Sequence, residues 1–71
     1  MKFEVGKLYR NDGGKDMDIR VIDISYTNEK YTKLTVAYVF RTTKKWNGVY
    51  DNVIIYSKYY DNWYEVKENL K

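Results

Sequence analysis

The segment from Lys33 to Tyr56 constrains the fold more than any other part of the chain. Its first half alternates apolar residues with others, as a β-strand does, and its second half carries the apolar run Val53–Tyr56. Between them lies Asn47-Gly48, a pair that accepts the positive φ angles of a two-residue type I′ turn. The sequence therefore predicts a long β-hairpin, Leu34–Tyr56, with Asn47-Gly48 at its tip.

A turn at this position also fixes the register of the hairpin. It sets apolar residues and opposite charges across from each other, as cross-strand pairs prefer. The predicted pairs are Trp46 with Val49, Lys45 with Tyr50, Lys44 with Asp51, Thr42 with Val53, and Phe40 with Ile55. By the same alternation, Tyr38 and Phe40 are expected to face the core.

The length of the chain, 71 residues, predicts a single domain, 1–71, with a small core. The chain has no Cys and no His, so neither disulfides nor the usual zinc sites are available to stabilise it. Nine Tyr and two Trp residues can supply buried area instead. A core of this size cannot hold all of them, and aromatic residues that remain exposed mark a binding face.

Strands are also predicted on both sides of the first loop. Phe3–Arg10 alternates up to Gly6 and then changes phase, which predicts a strand bent at that glycine. In Met17–Tyr26 the apolar series changes face near Val21. A bulge near this residue explains the change, and a strand buried on both faces is the alternative.

The end of the chain continues the β pattern. Ser57–Asn62 is polar, aromatic and short, which suits a single 3₁₀ turn. Trp63–Val66 is predicted to be the last strand, with Trp63 filling the end of the core. The polar residues 67–71 are expected to form a frayed tail.

The layout of these elements resembles that of small SH3-like barrels. The resemblance lies in Phe3-x-Val5-Gly6-Lys7-x-Tyr9, the long second strand, the tight hairpin and the terminal Trp63-Tyr64-Glu65-Val66. It implies an all-β, five-stranded SH3-like barrel in which the last short strand pairs with the first. The acidic loop and the ALYDY-like motif of peptide-binding SH3 domains are missing. The OB-fold is the nearest alternative, but its usual helix has no room here.

Residues that carry most catalytic chemistry are absent or isolated. No His can act as a general base near neutral pH, no Cys can act as a nucleophile, and Ser25 and Ser57 lack a His partner. Asp12, Asp16 and Asp18 could supply oxygens to calcium, but their spacing does not match an EF-hand, so a solvated turn is favoured. We therefore expect a non-catalytic protein without cofactor or metal.

Two groups of basic and aromatic residues are candidate binding sites. The tip cluster consists of Arg41, Lys44, Lys45, Trp46 and Tyr50, and the second cluster consists of Lys58, Tyr59 and Tyr60. Cations that contact phosphates and rings that stack on bases suit nucleic acid, whereas exposed Tyr and Trp also suit a protein partner. The structural alternative is that Trp46 packs back on the sheet and the lysines only solvate the turn.

The expected function is that of a binding module that docks on a host or partner protein through exposed aromatic residues. Abundant Lys, Asn, Tyr and Ile, which have AT-rich codons, are typical of small phage- or prophage-type proteins. Nucleic-acid binding at the hairpin tip is the alternative, and a homodimer joined by tyrosines is a third hypothesis. The sequence shows no signal peptide and no membrane-spanning run, so a cytoplasmic location away from membranes is expected.

Overall fold

The computed structural model describes residues 2–68, which form five antiparallel strands and one 3₁₀ helix. In chain order these are β1 (Leu8–Asn11), β2 (Met17–Thr27), β3 (Tyr31–Phe40), β4 (Trp46–Tyr56), the 3₁₀ helix Ser57–Asn62, and β5 (Trp63–Glu65). The strands form one sheet in the order β4-β3-β2-β1-β5. The predicted all-β class, the 3₁₀ segment and the pairing of the last strand with the first are confirmed.

The sheet is not closed into a barrel within residues 2–68. Its two edges are β4 and β5. The three residues of β5 pair with β1, where Tyr9 lies opposite Glu65 and Asn11 lies opposite Trp63. A strand this short has no further residues with which to bridge the gap to β4. Part of the inner face, between the loop that follows β1 and strand β4, therefore stays accessible.

The two faces of the sheet differ in what they bury. The inner face carries the core cluster, which consists of Phe3, Tyr9, Ile19, Val21, Leu34, Val36 and Ile55. Tyr38 and Trp63 pack partly buried against this cluster, as the sequence predicts, whereas Phe40 is half-buried outside it. The strand residues that alternate with these point to the opposite, outer face, and Arg10 and Asp18 are among them.

The change of face predicted in the second strand is present. The pairing of β2 with β3 shifts register between Val21 and Asp23, and again between Ile24 and Tyr26. Each shift inserts one extra residue into β2, which is the definition of a β-bulge. The bulges allow Val21 to face the core while Tyr26, near the far end of the strand, is exposed.

The first predicted strand is wrong between Phe3 and Lys7. Glu4–Lys7 forms a turn in which the Lys7 amide donates to the Glu4 carbonyl over 3.2 Å, and β1 begins at Leu8. Gly6 has a φ of 89°, which a type II turn requires at this position. The turn brings Phe3 back over the core, where its ring lies 4.8 Å from that of Tyr9. Burial of Phe3 thus outweighs continuation of the strand.

The hairpin forms, but its predicted tip is wrong. The turn that joins β3 to β4 is Arg41–Lys45, and Asn47-Gly48 lies inside β4. The Phe40 amide donates to the Lys45 carbonyl and the Lys44 amide donates to the Phe40 carbonyl, both over 2.9 Å. Gly48 has a φ of 100° because it lies at a register shift, where two residues of β4 oppose one of β3. Its conformational freedom serves a bulge, not a turn.

The predicted cross-strand pairs are therefore wrong as well. The observed pairs include Leu34 with Val53, Val36 with Tyr50, Val39 with Trp46, and Thr32 with Ile55. In the predicted register the buried residues Leu34 and Val36 would lie opposite Asp61 and Tyr59, beyond the end of β4. The observed register is favoured because it places both of them against residues of the neighbouring strand.

The chain after β5 crosses the outer face of the sheet. The Val66 amide donates to the Leu8 carbonyl over 2.8 Å. The Arg20 guanidinium then donates to both carboxylate oxygens of Glu68, over 2.6 and 2.7 Å. Of the predicted tail, residues 69–71 lie outside the described residues. No helix in the described part of the chain is both long and apolar enough to cross a membrane.

Candidate functional site

A buried ion pair holds the hairpin tip to the rest of the sheet. The Asp18 side chain is fully buried and accepts hydrogen bonds from Arg10 Nε and Nη2, over 2.8 and 3.0 Å, and from Arg41 Nε over 2.9 Å. Burial alone would raise the pKa of Asp18, but hydrogen bonding and charge from the two arginines outweigh it and lower that pKa. Arg41 is therefore committed to a structural ion pair.

The same ion pair fixes the loop between β1 and β2. The Arg41 amide donates to the Asp16 carbonyl over 2.8 Å, which ties the loop to the hairpin turn. A Cβ atom on Gly14 would lie 3.0 Å from Arg41 Nη2 and 3.1 Å from the Asn11 carbonyl oxygen. The loop packs this closely on the guanidinium because residue 14 has no side chain. Loop and turn are thus positioned by one buried cluster.

The remaining residues of the tip cluster do not form one surface. Lys44 and Lys45 are exposed in the turn, and Trp46 is exposed on the outer face opposite Val39. Tyr50 lies opposite Val36 and its ring meets that of Tyr38 at 5.2 Å, which places it on the inner face. Tyr50 and Trp46, which the sequence predicts to form one cluster, therefore lie on opposite faces of the sheet.

The second cluster is also divided. Lys58 Nζ lies 5.2 Å from the centre of the exposed Tyr59 ring, a cation–π contact at the surface. Tyr60 instead packs edge-on against Phe3 at 5.8 Å and shares a 2.7 Å hydrogen bond with the Thr32 hydroxyl. Tyr60 thus belongs to the packing around the core, and Lys58 and Tyr59 form a small separate contact.

A concave surface on the inner face of the sheet is here called the inner groove. It runs between the loop that follows β1 and strand β4 and has a volume of about 650 Å³. Its apolar lining consists of Met17, Ile19, Tyr38, Tyr50 and Trp63. A volume of this size lies within the range typical of ligand sites. The groove exists because β4 and β5 do not close the sheet above these side chains.

Polar groups surround the mouth of the inner groove. Asn11 and Asn47 contribute side-chain amides, and Lys15 and Asp16 contribute one charge of each sign. The Asn47 amide also contacts Met17 Sδ at 3.5 Å, which connects β4 to β2. The rim therefore offers hydrogen-bond donors and acceptors without a net charge.

The sequence indicates Tyr50 as a binding residue but does not predict this groove. It predicts that Tyr38 and Trp63 belong to the core and that Asn47 lies in a turn. The available signal was the excess of aromatic residues over what a small core can bury, which indicates an exposed aromatic surface but not its location. The location depends on the register of β4, which a turn at Asn47-Gly48 would have changed.

The three aspartates near the first loop do not converge. Asp18 is buried between two arginines, whereas Asp12 and Asp16 are exposed. Among residues 2–68 no group of three or more His, Cys, Asp or Glu side chains is placed to hold a metal ion.

Comparison with models of protein families, with curated proteins and with solved structures gave no match to this chain.

Proposed function

We propose that the protein is a non-catalytic binding module whose inner groove accepts a side chain from an extended segment of a partner protein. The observation that carries this proposal is the exposed apolar groove formed by Met17, Tyr38, Tyr50 and Trp63. Aromatic side chains are enriched among the residues that dominate protein interfaces, because they bury a large area at low entropic cost. The amides of Asn11 and Asn47 can bond a backbone that crosses the rim.

The charge at the groove favours a protein partner over nucleic acid. A polyanion is held mainly by several unpaired cations, whereas the rim contributes one lysine and one aspartate. The residues that line the groove also include no His and no Cys, which supports binding without catalysis. The composition of the chain supports a phage- or prophage-type origin, and we propose that the partner is a host or other protein on which the module docks.

The arrangement of strands supports a finer assignment of the fold. We propose that the sheet is of the SH3-like type, with its barrel left open at the inner groove. The supporting features are the β5–β1 pairing, the 3₁₀ helix that precedes β5, and the bulged second strand. This assignment concerns the fold and does not by itself define a ligand.

Binding of nucleic acid at the hairpin tip stays a prediction of the sequence. Lys44, Lys45 and Trp46 remain exposed and adjacent, but Arg41 is held by Asp18 and Tyr50 faces the other side of the sheet. Binding by two lysines and one ring would weaken with added salt by roughly one power of salt concentration for each phosphate contacted. A salt titration with single-stranded oligonucleotides, repeated with Lys44 and Lys45 both changed to Glu, tests this alternative.

The groove is tested by selecting ligands from a library of displayed random peptides. Three proteins are compared: the wild type, Tyr50→Ala and Tyr59→Ala. Tyr50 and Tyr59 are matched in exposure, at 51% and 48%, but only Tyr50 lines the groove. We expect Tyr50→Ala to weaken selected peptides about thirtyfold, which corresponds to roughly 2 kcal/mol. Tyr59→Ala should leave the Kd within about threefold of the wild type.

Two results would contradict the proposal. One is a library that yields no peptide whose binding depends on Tyr50. The other is a set of peptides that lose affinity in Tyr59→Ala and keep it in Tyr50→Ala, which would transfer the site to the second cluster. A pull-down from nuclease-treated lysate with the same three proteins then identifies the natural partner.

A further inference from the structure

The Asn47-Gly48 pair lies in an exposed and irregular part of the sheet. Both residues are exposed near the start of β4, which is an edge strand of the sheet. The pairing with β3 shifts register here, so that both residues lie across from Tyr38. In a bulge of this kind the ladder is locally disrupted and one residue is left unpaired. The backbone between Asn47 and Gly48 is therefore held less firmly than the backbone of a regular strand.

The Asn47 side chain makes few contacts. Its amide nitrogen lies 3.5 Å from Met17 Sδ, a weak acceptor, and its carbonyl oxygen accepts no hydrogen bond within residues 2–68. The side-chain carbonyl oxygens of Asn11 and Asn28, in contrast, accept backbone N–H groups over 2.7 and 2.8 Å. Turning the Asn47 side chain toward its own backbone therefore breaks one weak contact, whereas the same motion of Asn11 or Asn28 breaks a short hydrogen bond.

An asparagine that precedes glycine can lose its amide group without an enzyme or a redox partner. The backbone nitrogen of the glycine attacks the side-chain carbonyl carbon, so that a C–N bond forms and a cyclic imide closes. The amide group leaves as ammonia and takes up the proton that the backbone nitrogen gives up. Water then opens the imide at either carbonyl, which yields aspartate or isoaspartate. Glycine favours the ring closure because it has no Cβ to crowd the nitrogen and its backbone rotates freely.

We propose that Asn47 is a deamidation site of the folded protein. It is the only one of the six asparagines that precedes glycine. The residues that follow the other five are all larger, namely Asp12, Glu29, Val53, Trp63 and Leu70. Exposure, the bulge and the weakly held side chain thus coincide at the one position where the following residue is also the least hindered.

Asp12-Gly13 is the pair in the chain that most resembles Asn47-Gly48. The Asp12 carboxylate is a weaker electrophile than an amide, and the Gly13 amide already donates to Asn11 Oδ1 over 2.7 Å. Isomerisation at Asp12 also leaves the mass unchanged, whereas deamidation replaces NH₂ by OH and raises the mass. Mass spectrometry therefore distinguishes the two reactions.

Deamidation changes the charge at the rim of the inner groove. Lys15 and Asp16 contribute one charge of each sign, so a carboxylate at position 47 gives the rim a net negative charge. The reaction also removes the amide donor that contacts Met17 Sδ. The modified protein should therefore favour partner segments that carry Lys or Arg. This consequence rests on the proposed function of the groove, whereas the modification itself does not.

The modification is tested by incubating the folded wild type at neutral and mildly alkaline pH and mapping its peptides by mass spectrometry over time. A sample digested without incubation gives the background. Asn47 should convert at least about tenfold faster than the other asparagines, which corresponds to about 1.4 kcal/mol in the barrier. The rate should rise with pH, because the attacking nitrogen must lose its proton.

Asn47→Gln is the matched variant, since it keeps an amide but must close a larger ring. Conversion at this position should fall about tenfold or more in the variant. The proposal is overturned if Asn47 stays intact in the wild type, if it converts no faster than the other asparagines, or if Asn47→Gln converts equally fast.

The displayed peptide library separates the charge effect from the proposed function. Peptides that carry Lys or Arg should bind Asn47→Asp about threefold more tightly than the wild type, the size of an exposed ion pair. Equal affinity for both proteins, in peptides that depend on Tyr50, contradicts the charge effect and leaves the groove as the binding site. Peptides that do not depend on Tyr50 contradict the proposed function, and the conversion of Asn47 is then decided by mass spectrometry alone.

Discussion

The central strands and the edge strand β4 are both rich in apolar residues, yet they bury them to very different degrees. In β3 the buried residues are Thr32, Leu34, Val36, Ala37 and Val39. Within Trp46–Tyr56, Ile55 alone is buried, while large apolar side chains stay exposed on both faces. An apolar strand sequence therefore does not by itself indicate a core strand.

Position in the sheet explains the difference. Strand β3 is flanked by β2 and β4, and residues from both ends of the chain lie over the sheet, such as Phe3 on the inner face. Strand β4 has a neighbour on one side and little above its outer face. Among its uncovered side chains, Tyr50 lines the inner groove proposed for recognition, and Tyr56 is exposed on the outer face. The edge strand thus leaves its apolar side chains exposed, whereas the central strands bury theirs.

The largest expected effect is at Asp18, a charge buried in one of the central strands. Asp18→Ala would leave Arg10 and Arg41 without their carboxylate, and breaking a buried pair in this way costs about 3–5 kcal/mol of unfolding free energy. Asp23 is an exposed aspartate on the same strand, and Asp23→Ala should change the unfolding free energy by less than about 0.5 kcal/mol. Urea unfolding followed by circular dichroism measures both.

The pH dependence of unfolding separates the charge of Asp18 from its shape. The pKa of Asp18 is lower in the folded state than in the unfolded state. The Asp18 charge therefore contributes fully to the unfolding free energy above the unfolded-state pKa, near 4, and this contribution is lost as the pH falls through the folded-state pKa. Asp18→Asn should therefore lower stability at neutral pH and flatten the acid limb. An acid limb as steep in Asp18→Asn as in the wild type would contradict this account.

A matched pair of valines tests the comparison directly. Val36 in β3 is fully buried and Val49 in β4 is 52% exposed. Val36→Ala removes buried methyl groups and leaves a cavity, so it should cost about 2 kcal/mol or more. Val49→Ala should cost less than about 0.5 kcal/mol. If Val36→Ala and Val49→Ala lowered the unfolding free energy equally in thermal or urea unfolding, β4 would contribute to the core as β3 does.

The smallest expected effect lies in the turn that joins the two strands. Lys44 has a φ of 65°, a conformation that costs a residue with a Cβ atom about 1–2 kcal/mol. Glycine removes this cost but loses more entropy on folding, so Lys44→Gly should raise the unfolding free energy by up to about 1 kcal/mol. The control is Lys45→Gly at the exposed neighbouring position, which should lower the unfolding free energy slightly. Destabilisation by Lys44→Gly would mean that the lysine side chain contributes to the turn.

The sequence was informative where a signal is local and carries one meaning. The bulge near Val21 follows from a phase change within one strand, and the segment Ser57–Asn62 is short and polar. The Asn47-Gly48 signal was ambiguous because positive φ suits a bulge as well as a type I′ turn. Which of them forms is decided by long-range pairing of Leu34 and Val36. The sequence predicts Arg41 as a binding residue of the tip cluster because nothing local indicates that Asp18, far along the chain, is its partner.

One atom of the buried ion pair has a consequence for the inner groove. Arg41 Nη2 is buried without a hydrogen-bond partner among the described residues, a situation that costs about 1–3 kcal/mol. The Gly13–Asp16 segment packs against this guanidinium, so a displacement of the segment would expose the nitrogen to water and offset part of the contacts that the displacement breaks. The same segment forms one wall of the inner groove. We therefore expect the inner groove to widen at this wall at lower cost than at strand β4, and so to accept occupants of different widths.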